Sequence, residues 1–195
     1  MVGALKDLAP AERDRVAAAV AAAQARTDAR FALVVVPASD RYHLYPVVWG
    51  AALAFVAAGI MALAWPHLTL RLAFSVETLV FVVASLLLEW RPLRFLVVPK
   101  RAKHEHARAL AHREFAARIL AHPEHGGGVL FFVSLGERYA QIIADHALHA
   151  KAGQAAWDKI VADFVTAAGQ GHIAEGFVAG ANACGALLAT HAPKA

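Results

Sequence analysis

The sequence predicts an α/β protein, a small mixed sheet flanked by helices and interrupted by a two-helix transmembrane hairpin. Three observations point there. The 195 residues are 59% hydrophobic and only 17% charged, with a mean hydropathy of +0.48, too apolar for a chain wholly in water. Two long apolar stretches lie side by side in the middle. On either side of them, helix-period and strand-period patterns alternate. Ala supplies 47 residues and favours helix. With 8 Pro and 13 Gly, collagen and disordered linker are excluded. The single cysteine, Cys184, excludes a disulfide framework and any cysteine-based zinc or iron–sulfur site within one chain.

The first element is a helix over Pro10–Arg26. Pro10 suits its first turn, Glu12 and Asp14 suit its N-terminal end, and Val16, Ala19, Val20 and Ala23 form one apolar stripe. Phe31-Ala32-Leu33-Val34-Val35-Val36 follows and stops at Pro37, an unbroken apolar run that reads as a buried strand.

From Leu44 to Trp65 there is no formally charged residue, and that length of helix covers about 33 Å, enough to cross a bilayer. A second span runs over Leu72–Leu88, after a turn at Pro66-His67-Leu68-Thr69-Leu70-Arg71. Trp49, Trp65 and Trp90 fall near the ends, where aromatic rings prefer the headgroup level. Glu77 lies inside the second span, and an intramembrane acid is a functional-site candidate by default. Its shallow depth favours the plainer reading, a carboxylate in the interface near Arg71 and His67, or a protonated one.

The charges fix an orientation. Residues 91–113 carry seven Lys/Arg against Glu105 alone, while the loop between the spans has only Arg71. Arg26, Arg30 and Arg41 precede the hairpin; Arg91, Arg94, Lys100, Arg101 and Lys103 follow it. Both termini are therefore expected in the cytoplasm of a bacterial inner membrane, with the basic block on the anionic inner leaflet. The apolar run starts too late for a signal peptide and shows no cleavage site. Nucleic acid is not an expected partner, because the basic block lacks interleaved aromatics and a dedicated motif.

Beyond the hairpin, Lys100–Leu120 reads as a helix whose narrow apolar face is Ala107, Ala111, Phe115 and Ile119. Gly126-Gly127-Gly128 leads into a strand at Val129–Ser134. Leu135-Gly136-Glu137 turns the chain into a second strand at Arg138–Ala144, and helices near Gln154–Ala168 and Ala174–Thr190 close it. Gly176 and Gly180 permit close packing of the last helix, which is expected to dock on the sheet rather than form a third span, with Cys184 buried and inert. The glycine triplet leads from helix into strand without Gly-Lys-Ser/Thr, so it is a turn and not a phosphate loop.

Parity adds a constraint. One helix and one strand before the hairpin cannot bury a core alone, and the two-stranded hairpin after it lacks a third strand. If Phe31–Val36 pairs there, both segments share one side of the membrane and the number of crossings is even. The organisation expected is thus residues 1–41 as the first part of a cytoplasmic domain, 44–90 as the membrane hairpin, and 91–195 as the basic helix and the rest of the domain.

Several pieces together resemble a known family. They are Ala25-Arg26-Thr27, Leu33-Val34-Val35-Val36 and Ser39-Asp40-Arg41-Tyr42, then Gly128-Val129-Leu130-Phe131-Phe132-Val133-Ser134, Glu137-Arg138-Tyr139 and Ile143-Ala144-Asp145. Trp157 with Ile160, Gly176-Phe177 and Cys184-Gly185-Ala186-Leu187-Leu188 complete the set. In order and spacing these resemble the TPM domain family, also called TPM phosphatase, in its short membrane-protein branch. The resemblance implies an α/β/α domain, often tethered to a membrane, that maintains or assembles membrane protein complexes. For some members it implies acid phosphatase activity or binding of a divalent cation such as calcium or magnesium. Arg30 stands where the family usually has Glu, so carboxylate chemistry through that position is not carried over.

The candidate ligand-binding residues are Asp40, Glu137, Arg138 and Asp145, a set able to hold a cation or a phosphoryl oxygen if it converges. The plainer alternative is a surface ion pair at a strand end. Histidines at 104, 106, 112, 122, 125, 146 and 149 have helical spacing, but a cationic helix is a poor setting for a metal. Three functions follow as expectations. The first is an accessory protein that binds or stabilises another membrane protein. The second is a weak metal-dependent phosphatase using Asp40, Arg138 and Asp145. The third is ion or proton conduction resting on Glu77.

Overall fold

The computed structural model describes residues 9–40, 42–65, 67–122 and 127–194. Arg41, Pro66, His125 and Gly126, and the side chain of Arg91, lie outside the described residues. In chain order the elements are α1 (Pro10–Ala25), β1 (Arg30–Val36), α2 (Leu44–Ala64), α3 (Leu70–Glu89), α4 (Arg91–Val97), α5 (Lys100–Phe115), β2 (Gly128–Ser134), β3 (Tyr139–Ala144), α6 (His146–Ala152), α7 (Gln154–Gly169) and α8 (Ile173–His191). The chain divides into two compact units, Met1–Ser39 with His104–Ala195, and Asp40–Lys103.

The first unit is built on a three-stranded sheet of order β1-β2-β3. β1 runs parallel to β2, from Arg30 opposite Gly128 to Val36 opposite Ser134, and β2 runs antiparallel to β3. The expected third strand is therefore present, supplied from before the hairpin. All seven residues of β2 are buried, as a central strand covered on both faces requires. Alternation divides the core. Phe31, Leu33, Val35, Phe131 and Val133 face a layer of α1, α7 and α8, while Val34, Val36, Leu130 and Phe132 face Ala107, Ala111, Phe115 and Ile119. The apolar face read from the sequence is the buried one. Phe131, Phe164 and Phe177 stack in one cluster with ring centroids 4.8–6.3 Å apart. Gly180 is required there, since a Cβ on it would sit 2.7 Å from the Phe131 ring.

Three departures from the sequence reading are local. The helix expected over Lys100–Leu120 ends as a π-helical turn, Ala116–Leu120, which still buries Ile119. Two seven-residue helices, α4 and α6, occupy stretches to which the sequence assigns no separate element.

In the second unit, α2 and α3 pack as a helical hairpin. Pro46, Gly50 and Ala54, four residues apart, are the buried positions of α2. At Gly50 the helices nearly touch, since a Cβ there would lie 2.2 Å from Ser85 Oγ. Most of the large apolar residues of α2 and α3 point outward. Among the described residues, every large hydrophobic residue that is exposed lies between Leu44 and Leu96, apart from Leu120 and Val165. The base is closed by Glu89, whose Oε1 pairs with His43 Nδ1 at 2.8 Å and Arg94 Nη1 at 3.3 Å. Trp49 Nε1 donates to Val97 O at 3.2 Å, holding α4 against α2.

Helices α2, α3 and α8 are each long and apolar enough to cross a membrane. They differ in packing. The apolar window of α3 is 0% buried and that of α2 11%, whereas 44% of the α8 window is buried against its own unit.

Two outcomes follow. Gly50→Ile is expected to force α2 and α3 apart and to lower the melting temperature in mild detergent, while Gly59→Ile, where the added Cβ meets nothing within 4 Å, is expected to leave it unchanged. Burial pushes the Cys184 thiol up to about 12. Cys184 should therefore resist iodoacetamide at pH 8 until the chain is unfolded, as read by mass spectrometry. Because the folded pKa is raised, its contribution to stability is complete below the ordinary thiol value and is lost as pH climbs from there towards about 12.

Candidate functional site

Three of the four candidate ligand-binding residues, Glu137, Arg138 and Asp145, lie at the two ends of the β2–β3 ladder. At the end where β1 and β2 finish, the turn through residues 135–138 returns the chain into β3. Its backbone extends the sheet: Leu135 N–H donates to Val36 O at 3.0 Å and Gly136 N–H to Pro37 O at 2.9 Å. Glu137 turns inward and is only 5% exposed. Its carboxylate accepts the Ser39 N–H at 2.8 Å and the Ser134 hydroxyl, and Ser39 Oγ donates to Ser134 Oγ at 3.1 Å. A buried carboxylate is stable there because these donors replace water. The group latches the exit of β1 to the β2–β3 turn.

Arg138 has the left-handed φ of 51° and is exposed. Tyr139 next to it donates to Gln141 Oε1 at 2.7 Å, and its ring lies 5.5 Å from that of His104 on α5. Burial raises the Tyr139 pKa, and the charge of Arg108 opposes the rise. This end thus turns Arg108, Arg138 and His104 to solvent and keeps its carboxylate inside. Ser134 beside Glu137 has the form of an activated hydroxyl, but it is 0% exposed, and a nucleophile needs a path to its substrate.

Asp145 is at the other end, one full strand away, about 20 Å at strand rise. It is the N-cap of α6, accepting Ala147 N–H at 2.8 Å and Leu148 N–H at 3.0 Å on Oδ1. Its Oδ2 accepts Gly128 N–H at 2.6 Å. Gly127 has φ +118° and passes so close that a Cβ would lie 2.0 Å from Oδ2. Asp145 therefore does not converge with Glu137 and Arg138: three backbone N–H groups hold it to pin the start of β2 to the start of α6. The signal was available as Asp145, then His146–Ala152, then Gly153 at φ +77°, a short capped helix. Asp40 is exposed and belongs to the hairpin unit.

Among the described residues no group of three or more His, Cys, Asp or Glu is placed to hold a metal ion. Arg30, which opens β1, lines a groove with Gln24, Phe31 and Arg118. In the hairpin unit, half-buried Glu77 lines one cavity of about 360 Å3 with Met61, Trp65 and Leu68, and another of about 260 Å3 with Ala54, Phe74 and Phe81. Trp49 and Trp90 are at its base and Trp65 at the opposite end, all exposed. Lys100 and Arg101 are exposed at the start of α5.

The family model of the TPM domain matches residues 91–187, so this chain carries a TPM domain. The match runs from α4 into α8, and the structure completes the sheet and core with α1 and β1, which lie outside it. No curated protein and no solved structure matches the chain.

Both carboxylates carry structure, and that can be weighed. Asp145→Ala is expected to cost about 2–4 kcal/mol through the lost cap and the orphaned Gly128 N–H. Glu137→Ala should cost about 3 kcal/mol by stranding buried donors, with Glu137→Gln recovering part. Denaturation in mild detergent gives these values. Unchanged stability in Asp145→Ala would return that residue to the ligand candidates.

Proposed function

We propose that this TPM-domain chain is a membrane-anchored accessory protein that binds or stabilises another membrane protein. The observation that carries the reading is the parallel pairing of β1 with β2 on either side of two helices whose apolar surfaces point outward. A soluble protein does not leave such a belt uncovered, and lipid is the solvent that suits it. Because β1 and β2 belong to one sheet, the chain leaves and re-enters the same compartment, so α2 and α3 cross as a pair. The Lys/Arg excess outside the hairpin supports the bacterial cytoplasm as that compartment. Arg94, Lys100 and Arg101 then contact the anionic inner leaflet, each contributing about 1 kcal/mol near such a surface. Trp49, Trp65 and Trp90 mark the two headgroup levels.

The resemblance to TPM phosphatases keeps a second reading open, a weak phosphatase with calcium or magnesium. The burial of Glu137 and the capping role of Asp145 weigh against it, since one carboxylate lies inside the fold and the other is already engaged by three backbone N–H groups.

Crosslinking in native membranes, followed by purification in mild detergent, separates the two. One integral-membrane protein is expected to travel with the intact chain, to be lost when only the hairpin is expressed, and to fall in abundance in cells lacking the chain. Phosphoester turnover by the purified chain that needs a divalent cation and fails in Asp40→Asn or Arg138→Gln, with no such partner, would overturn the accessory reading. Protease added outside spheroplasts should leave the soluble unit intact; its digestion would reverse the orientation.

A further inference from the structure

Glu77 is an acid inside an apolar helix, and among the described residues it makes no hydrogen bond or ion pair. Arg71 stands six residues earlier on α3, which turns the two side chains to different faces. Glu89, the other acid of α3, is met by His43 and Arg94. Ser75 donates to Arg71 O at 2.9 Å and is satisfied by its own helix. An ionised carboxylate has no such recourse, since it only accepts and the helix has already used the N–H groups around it.

Glu77 lies seven residues into α3, about 10 Å along the helix axis. It is half-buried between two hollows that it shares with α2. The hollow nearer the α2–α3 turn, about 360 Å3, is lined by Ala58, Ala62 and Ala73 and by Trp65. Its chemistry suits a long cation. Small residues leave room for an alkyl stem, and an indole ring in the same hollow as a carboxylate attracts positive charge.

An acid in a span is almost always paired, so the source of the cation is the question. Between Leu44 and Glu89 the only Lys or Arg is Arg71. A second copy therefore brings no such cation to this depth, because its own Arg71 lies about 9 Å nearer the turn. The amine of a lipid is held at the headgroup level by its own phosphate. A Lys or Arg carried on a helix can be set at any depth.

We propose that Glu77 receives the Lys or Arg side chain of a transmembrane helix of the partner protein, laid along the groove between α2 and α3 with its basic group in the hollow that Glu77 and Trp65 line. The inference rests on the accessory reading and gives its partner a chemistry. That partner has a span with a basic residue about two turns inside the headgroup level at the turn end of the hairpin. The apolar flanks of that span meet the outward Leu, Val and Phe side chains of α2 and α3. The soluble unit supplies the rest of the hold, so the hairpin alone does not keep the partner.

The probe is a dansyl-labelled leucine–alanine transmembrane peptide that carries one lysine about two turns from one end. It is mixed with the full chain in phosphatidylcholine vesicles, and energy transfer from the tryptophans of the chain reads binding. The same peptide with leucine in place of lysine is the reference. The lysine peptide is expected to bind about tenfold more tightly, the scale of one polar contact between helices in lipid. Glu77→Gln should remove most of that preference with the far-ultraviolet circular dichroism retained. Ala62→Phe is the second route, since the position is exposed and a ring there fills the hollow while the carboxylate stays. In native membranes Glu77→Gln should lower the recovery of the crosslinked partner. Equal binding of the two peptides would overturn the inference, and so would a preference abolished by phosphatidylethanolamine, which would assign the site to a lipid amine. Full retention of the partner by Glu77→Gln would overturn it too, with the accessory reading left standing. A parent chain that carries no partner ends that reading and this inference together.

Discussion

The structure depends on one pairing, the parallel ladder from Arg30–Gly128 to Val36–Ser134. Remove β1 and the C-terminal half keeps a two-stranded hairpin, marginal in water by itself, with Phe131 and Phe132 on opposite faces of an edge strand. Add it and β2 becomes central, both faces are covered, and cores form on both sides. The ladder is also the most costly to form in chain terms, because the whole hairpin unit separates its strands. That cost explains the density of polar ties where β1 leaves the sheet. Leu135 and Gly136 extend the ladder, and the Ser39–Ser134–Glu137 group fixes the chain within three residues of the strand's end.

Apolar residues serve two solvents in this chain. In the sheet unit they alternate or follow one helical face, and polar residues take the rest. In α2 and α3 the interior seam is made of Gly50, Ala54 and Ser85, while Leu, Val and Phe point out. Small residues inside and large ones outside is the arrangement of helices that pack in lipid, where close contact rather than hydrophobicity holds them together. Helix α8 has span-like composition, yet it buries Phe177, Cys184 and Leu188 against the sheet unit. Hydropathy alone does not separate α8 from α2 and α3. The direction of the large side chains does.

Elements defined by periodicity were legible in the sequence. The face Ala107–Ala111–Phe115–Ile119, the run ending at Pro37 and the docking of the last helix all follow from local spacing. The short helices α4 and α6 did not show, because seven residues hold too little periodicity to stand out. Asp145 was legible as a candidate, but its place as the cap of α6 was not. A carboxylate at a strand end reads as a ligand until the Gly128 N–H and the first turn of α6 are seen to occupy it. Glu137 illustrates the same limit, since a charged turn residue is normally exposed and only the fold reveals that it turns in.

The extent of the TPM match has a physical reason as well. From His104 onward, the matched residues belong to the part of the sheet unit that is continuous in sequence, whereas α1 and β1 join the same core from before the hairpin unit in sequence. What unites the two parts is side-chain complementarity: Ala23 of α1 packs within 3 Å of where a Cβ on Gly185 would be, and Val16 is 0% exposed in the same layer as Leu188. Such contacts leave little trace in a short stretch of alanines and valines, which many unrelated helices share. The hairpin sits in the connection between β1 and α5, a crossover that any parallel pair must have in some form. An insertion there leaves every ladder and both core layers intact, so a domain can take on an apolar hairpin without rebuilding its fold.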